Sequence, residues 1–158
     1  MMKLCSKVLA ALEGKTLATA ESCTGGMIGA ALTAVPGASK VYKGGIISYW
    51  NDVKERLLGV SETDLHALGP VSMQVAGAMA DGARESLRTD VAISVTGLAG
   101  PDGDEFGRPV GTVFVGFSNG RKTVAKHYHF DGNREEVRRQ AAQAALRLIL
   151  EEEICSVP

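Results

Sequence analysis

The sequence predicts a layered α/β fold in which helices cover both faces of a mixed sheet. Two observations carry that reading. Strand-like runs alternate with helix-like runs early in the chain, and a hairpin signal followed by one long helical run comes late. The length, 158 residues, suits one compact core. No internal repeat and no low-complexity linker interrupts it, so residues 1–158 read as a single domain.

Each element has a local reason. Leu4, Val8, Leu9, Ala11 and Leu12 fall on one face at helical spacing, and Gly14 ends that helix. LATAES, residues 17–22, reads as a short buried strand. Small and apolar residues from Thr24 to Val35 recur as a helix that Pro36 and Gly37 stop. VYKGGIISYW, residues 41–50, is rich in β-branched and aromatic side chains and predicts a strand. Asn51 is a favoured cap for the helix DVKERLLG. Ser61 opens a capping motif with Asp64 at the third helical position, and Ser72 caps the longer MQVAGAMADGARESL. DVAISVTG, residues 90–97, is a buried strand. VGTVFVGFSNG and RKTVAKHYHF form two strands about a Ser118-Asn119-Gly120 turn. Asn133 caps the last helix, REEVRRQAAQAALRLILEEE.

Composition narrows the function classes. A net charge of -1 and a pI near 6.3 force no basic face, which argues against nucleic-acid binding. The Arg138-Arg139 pair and the acidic run Glu151-Glu152-Glu153 read as solvated helix faces, the latter fraying at the terminus. Cys5, Cys23 and Cys155 form no C-x-x-C pair, which disfavours a metal knuckle or a disulfide framework and fits a reducing compartment. MMKLCSKVLAALEGK reads as an amphipathic helix rather than a signal peptide. No run reaches the roughly 18 apolar residues of a membrane span, so a cytoplasmic protein with no membrane partner is expected.

Three segments at strand ends carry the candidate chemistry, where α/β sheets place ligands. In Glu21-Ser22-Cys23-Thr24-Gly25-Gly26, amides at a helix start point outward unpaired. Ser22 there is either a helix cap or a nucleophile beside an oxyanion hole. Cys23 reads as a buried, inert thiol. In Ser48-Tyr49-Trp50-Asn51-Asp52-Val53-Lys54, the lysine sits in a helical first turn, where its charge opposes the dipole. It is either a solvated lysine paired with Asp52 or Glu55, or a desolvated general base. Tyr49 is core with a satisfied hydroxyl, or orients the lysine or the ligand. TGLAGPDGDEFGRPVGT, residues 96–112, has five glycines and two prolines, and a connection this long is functional or mobile. Gly97 and Gly100 permit close approach of backbone to a ligand.

Other chemistries are excluded on pattern. Asp102, Asp104 and Gly107 mimic part of a calcium loop, but Phe106 and Val113 stand where ligands are required. Neither a phosphate-binding G-x-x-x-x-G-K-[ST] loop nor a G-x-G-x-x-G fingerprint after a strand occurs. His66, His127 and His129 lack metal-ligand spacing, and His127 and His129 read as structural on one strand face. Arg134, in FDGNRE, is either a surface residue or a contact for an anionic group of a ligand or a neighbouring subunit.

Taken in order, ESCTGG, GGIISYWNDVK, TGLAGPDG, PVGTV and FDGNRE resemble the CinA carboxy-terminal-domain family across residues 5–150. The resemblance implies a three-layer α/β/α sandwich with a mixed, mostly parallel sheet and a C-terminal β-hairpin followed by a long helix. It also implies an amidohydrolase, without metal or cofactor, that deamidates nicotinamide mononucleotide like the family's stand-alone members. The family's nucleophile lands on Ser22 in S-x-T-G-G, and its lysine on Lys54 in Y-x-N-x-x-K, with Tyr49 and Asn51 in the same motif. Oxyanion and substrate contacts land on Cys23, Thr24, Gly25 and Gly26, on Thr96, Gly97, Ala99 and Gly100, on Gly111 and Thr112, and on Arg134. The longer members' amino-terminal molybdopterin-binding-like domain has no counterpart here, which favours the stand-alone enzyme. The implied partners are a small-molecule nucleotide and further copies of the chain, as a dimer or higher oligomer. Pro70 replaces a usual alanine and Asp104 a usual glycine, which leaves the loop's shape open. The rival readings are a catalytically inactive nucleotide-binding module and an amidase for another small amide.

Overall fold

The computed structural model describes residues 1–154, so Cys155 lies outside the described residues. Five strands form one sheet: β1 (Leu17–Glu21), β2 (Tyr42–Ile47), β3 (Val91–Gly97), β4 (Thr112–Ser118) and β5 (Thr123–His129). The helices are α1 (Met2–Ala11), α2 (Met27–Thr33), α3 (Asn51–Leu58), α4 (Glu62–Leu68), α5 (Met73–Leu87) and α6 (Arg134–Ile154). The sheet order is β2-β1-β3-β4-β5. β1 runs parallel to β2 and β3, whereas β4 is antiparallel to β3 and to β5. The expected mixed sheet is present: four of its five strands run in one direction and β4 alone runs against them. The cause is the 98–111 connection: it holds no crossover helix, so β4 folds straight back along β3.

Strand alternation sorts the two faces. Leu17, Ile93, Val95, Val115 and Phe117 turn to the layer of α1, α2 and α6 and form the larger core. Ala18, Ala20 and Ala92 turn to the other layer, where α5 lies along the sheet with α3 and α4 beside it. Small residues are required there. A Cβ on Gly116 would fall 2.2 Å from the Ala76 carbonyl oxygen, and Ser94 Oγ donates to that same oxygen at 2.5 Å.

Most local signals hold. Ser61 Oγ accepts from Asp64 N–H and Ser72 Oγ from Val75 N–H. Asn133 and Glu136 cap each other reciprocally, at 3.0 and 2.8 Å. Asn119 Oδ1 accepts from the amides of Arg121 and Lys122 and closes the hairpin. Three expectations are corrected. The helix after the glycines starts at Met27 and not at Thr24, because Gly25 and Gly26 take positive φ and prolong the turn. Asn51 is the first helical residue and not the cap; Trp50 is the cap, its carbonyl accepting from Lys54 N–H. The acidic run is helical and paired: Glu151 meets Lys126 at 2.8 Å, Glu152 meets Lys122 at 2.6 Å, and Glu153 meets Lys15. Among the described residues, no helix is long and apolar enough to cross a membrane.

Candidate active site

Because β1, β2 and β3 are parallel, their carboxyl ends share one edge of the sheet. The chain leaves β1 toward β2 and later returns on the other side to form β3, which opens a crevice between the loops after β1 and β3. Ser22 sits at its floor. Its N–H donates to Val95 O at 3.0 Å, so β3 fixes its backbone.

Glu21, only 2% exposed, bears on the capping reading of Ser22. Its carboxylate accepts from the N–H groups of Gly26, Ile28 and Gly29 at 3.0, 3.1 and 2.9 Å. The helix start is therefore capped by the glutamate, and the Ser22 hydroxyl has no capping role. Gly26 N–H is consumed by Glu21 and Gly25 N–H by Ser22 O, so these two glycines shape the turn and do not serve as oxyanion donors. Thr24 N–H has no acceptor among the described residues, and Cys23 N–H meets only its own thiol sulfur. Arg138, from α6, holds the carbonyls of Cys23 and Thr24 at 2.9 and 3.1 Å. Arg138 thus clamps the turn; it does not belong to a solvated face.

Lys54 is 1% exposed. Its Nζ donates to Ser22 Oγ at 3.0 Å, to Ser48 O at 2.6 Å and to Tyr49 O at 3.4 Å. It forms no ion pair with any described carboxylate, Asp52 and Glu55 included. Burial pushes its pKa down to about 8, against a slight upward pull from Cys23. An amine of that pKa is partly neutral near pH 7 and can take a proton from Ser22. Burial pushes the neighbouring Cys23 thiol up to about 12, which keeps it protonated and inert as expected.

A cavity of about 170 Å³ lies over this pair. Ser22, Lys54, Pro70, Val71, Tyr49, Arg134 and residues 96–99 wall it. Tyr49 does not reach the lysine through its hydroxyl. That group accepts from Arg134 Nη2 at 3.0 Å, while Arg134 Nη1 donates to Gly100 O at 2.6 Å. Arg134 therefore joins α6, the end of β2 and the glycine loop at the cavity mouth. Thr96 Oγ1 donates to Pro70 O at 2.7 Å and fixes one wall. Gly97 is packed tightly, since a Cβ there would approach Val113 Cγ2 to 2.7 Å and Cys23 Sγ to 3.2 Å.

Of the expected site residues, Thr24, Gly25, Gly26, Asn51, Gly100, Gly111 and Thr112 do not line the cavity. Asn51 is exposed at the start of α3. Gly111 and Thr112 brace the loop from behind: Leu98 N–H donates to Thr112 O, and Gly111 N–H to Leu98 O. Asp104 resolves the loop's shape. Its carboxylate accepts from the Phe106 and Arg108 amides and pairs with the Arg108 guanidinium at 3.1 Å. Burial raises its pKa, but these hydrogen bonds and the Arg108 charge outweigh that and leave it lowered. Sequence reasoning missed Glu21 and Arg138. Each had a signal: an acid directly before a serine–glycine turn, and an arginine one helical turn after Arg134.

Fold and site define a class: an α/β domain with a serine and a buried, unpaired lysine in contact at the carboxyl edge of its parallel strands. The chain belongs to the CinA C-terminal domain family, whose model matches residues 1–153. A CinA-like protein of Gemmatimonas aurantiaca is 49% identical over 136 residues, which cover 86% of this chain and 32% of that protein. One from Geobacter metallireducens is 47% identical over 133 residues, covering 84% and 32%. The chain thus spans about a third of the length of the curated relatives it matches. Among solved structures, a CinA superfamily protein from Enterobacter cloacae superposes with a TM-score of 0.93 at 34% identity, covering 96% of this chain and 91% of that one. One from Klebsiella pneumoniae gives 0.94 at 32% identity, with 97% of both chains covered.

Proposed function

We propose that this chain is an amidohydrolase that converts nicotinamide mononucleotide to nicotinate mononucleotide and ammonia through a Ser22 acyl-enzyme. The observation that carries the reading is the 3.0 Å contact between Ser22 Oγ and a buried Lys54 Nζ that has no carboxylate partner among the described residues. Neutral Lys54 takes the Ser22 proton as Oγ attacks the carboxamide carbon. The amides of Cys23 and Thr24 stabilise the oxyanion. The C–N bond breaks, and the leaving group takes the proton from Lys54 and departs as ammonia. Water then adds to the acyl carbon with Lys54 again accepting the proton, the C–Oγ bond breaks, and Oγ recovers that proton.

The nucleotide substrate is supported by the motifs shared with the family and by the cavity's charge. Lys54 and Arg134 line it and no carboxylate does, which suits a phosphate at the Arg134 mouth. A catalytically inactive binding module would leave the pair separated or blocked, and the open cavity over a bonded pair weighs against it. Self-association into a dimer or higher oligomer belongs to the same proposal.

Ammonia release from nicotinamide mononucleotide tests it. Ser22→Ala and Lys54→Ala should each lose at least about a thousandfold in kcat. Full activity in Ser22→Ala, or none in the wild type, would sink the assignment.

A further inference from the structure

Lys54 is a buried cation site with no anion among the described residues. Every group facing it can be named. The turn after β1 presents Ser22 and the neutral Cys23 thiol, and the residues just after β2 present the Ser48 and Tyr49 carbonyls. α5 lies along α3 through apolar residues such as Val75, Met79 and Ala83 and brings no charge to Nζ. From α6, Arg134 stands at the mouth on Tyr49 and Gly100, and Arg138 is held by the Cys23 and Thr24 carbonyls. The nearby Glu21 carboxylate is occupied by three amides at the start of α2.

We infer that this corner of the cavity is a carboxylate site, and that the acid product binds it as an ion pair more tightly than the amide substrate binds, so the enzyme is restrained by its own product. The inference rests on the deamidase reading. Deacylation leaves a carboxylic acid beside a neutral amine. The acid O–H bond breaks, an N–H bond forms on Nζ, and an ammonium–carboxylate contact results with no other reactant. One carboxylate oxygen meets Nζ, and the other takes the place of the former carbonyl oxygen near the Cys23 and Thr24 amides. A charge-assisted bond of this kind is about twice as strong as a neutral one. The amide gains no equivalent, because its carboxamide is neutral; the pyridinium ring, which an ammonium repels, is common to both and leaves the amide alone uncompensated. Acid and amide share ring, sugar and phosphate, so their affinity ratio reads the carboxylate alone.

Proton linkage gives the sign. The acid binds the protonated lysine, and the amide favours the neutral one. The preference for the acid is therefore greatest at low pH and falls as pH rises through the Lys54 titration, by up to about tenfold per unit for the acid alone.

Ser22→Ala retains Lys54 and cannot consume the amide, so it allows both ligands to be titrated by calorimetry between about pH 6.5 and 9.5. The expected result is at least about a tenfold preference for nicotinate mononucleotide at the low end, shrinking toward the high end. Proton uptake should accompany acid binding above about pH 8. Adding Lys54→Met, with folding checked by circular dichroism, should abolish the preference. The pH trend within Ser22→Ala tests the idea without that second change. Equal affinities at low pH, a preference independent of pH, one that survives Lys54→Met, or no binding of either nucleotide would each overturn the inference. Selective acid binding in Ser22→Ala with no ammonia released by the wild type would instead overturn the deamidase reading and leave the carboxylate site standing.

Discussion

Lys54 links stability to pH through a single proton. Its pKa is about 8 in the folded chain against 10.5 for an ordinary lysine, and burial is the main cause. Between those values the unfolded chain binds more protons than the folded one, so stability rises with pH in that window. Below it the penalty is complete, about 3 kcal/mol, and above it the penalty is gone. Lys54→Met removes the titration but leaves the Ser48 carbonyl without its donor, an opposing cost of about 1–3 kcal/mol that does not vary with pH. The stability of the variant relative to wild type should therefore fall by up to about 3 kcal/mol from pH 7 to 10.5. Denaturant unfolding at several pH values measures this, and a constant difference would mean that the folded chain holds the proton normally. On the proposed mechanism the same group sets the rate: kcat/KM should rise with pH about a midpoint near 8, since there only the neutral amine accepts the Ser22 proton.

At the scale of elements, legibility depended on whether a helix is capped from within. Ser61, Ser72 and Asn133 cap the helices that follow them directly, and all three could be read from sequence. α2 could not, because its cap is Glu21, at the end of the preceding strand and separated by a glycine turn from the amides it accepts. Local reasoning left Ser22 between cap and nucleophile; tertiary geometry gave the capping role to its neighbour. Glu21→Gln should expose that division. Glutamine retains one acceptor oxygen and turns an NH₂ toward amides that also donate, so at least one buried N–H loses its partner. Expected are a stability loss of about 1–3 kcal/mol and a fall of at least about tenfold in kcat as the Cys23–Thr24 turn loosens. Thermal melting and ammonia release would read the two effects. An unchanged rate with lowered stability would limit Glu21 to capping.

For the whole molecule, the alternation of strand and helix was enough to read the layers, but not strand direction around residues 98–111, which depends on how that connection returns. Ser22 and Lys54 are 32 residues apart, and they meet because β1 and β2 are parallel neighbours and α3 lies against α5. That last contact was invisible in sequence, since Gly82 reads only as a weak helix position. In the structure a Cβ on Gly82 would fall 1.8 Å from Leu58 O, a backbone atom that cannot swing aside. Gly82→Ala must therefore push α3 from α5, and α3 carries Lys54. It should cost about 3 kcal/mol and reduce kcat well beyond what the stability loss explains. Gly77→Ala, on the same helix, is the matched control. Its Cβ would meet Thr123 Cγ2 at an ordinary 3.4 Å, and alanine improves helix propensity, so a gain of up to about 1 kcal/mol with unchanged activity is expected. If both variants melt and turn over alike, the α3–α5 contact does not set the Ser22–Lys54 distance, and the lysine must be placed by its carbonyl bonds to Ser48 and Tyr49 alone.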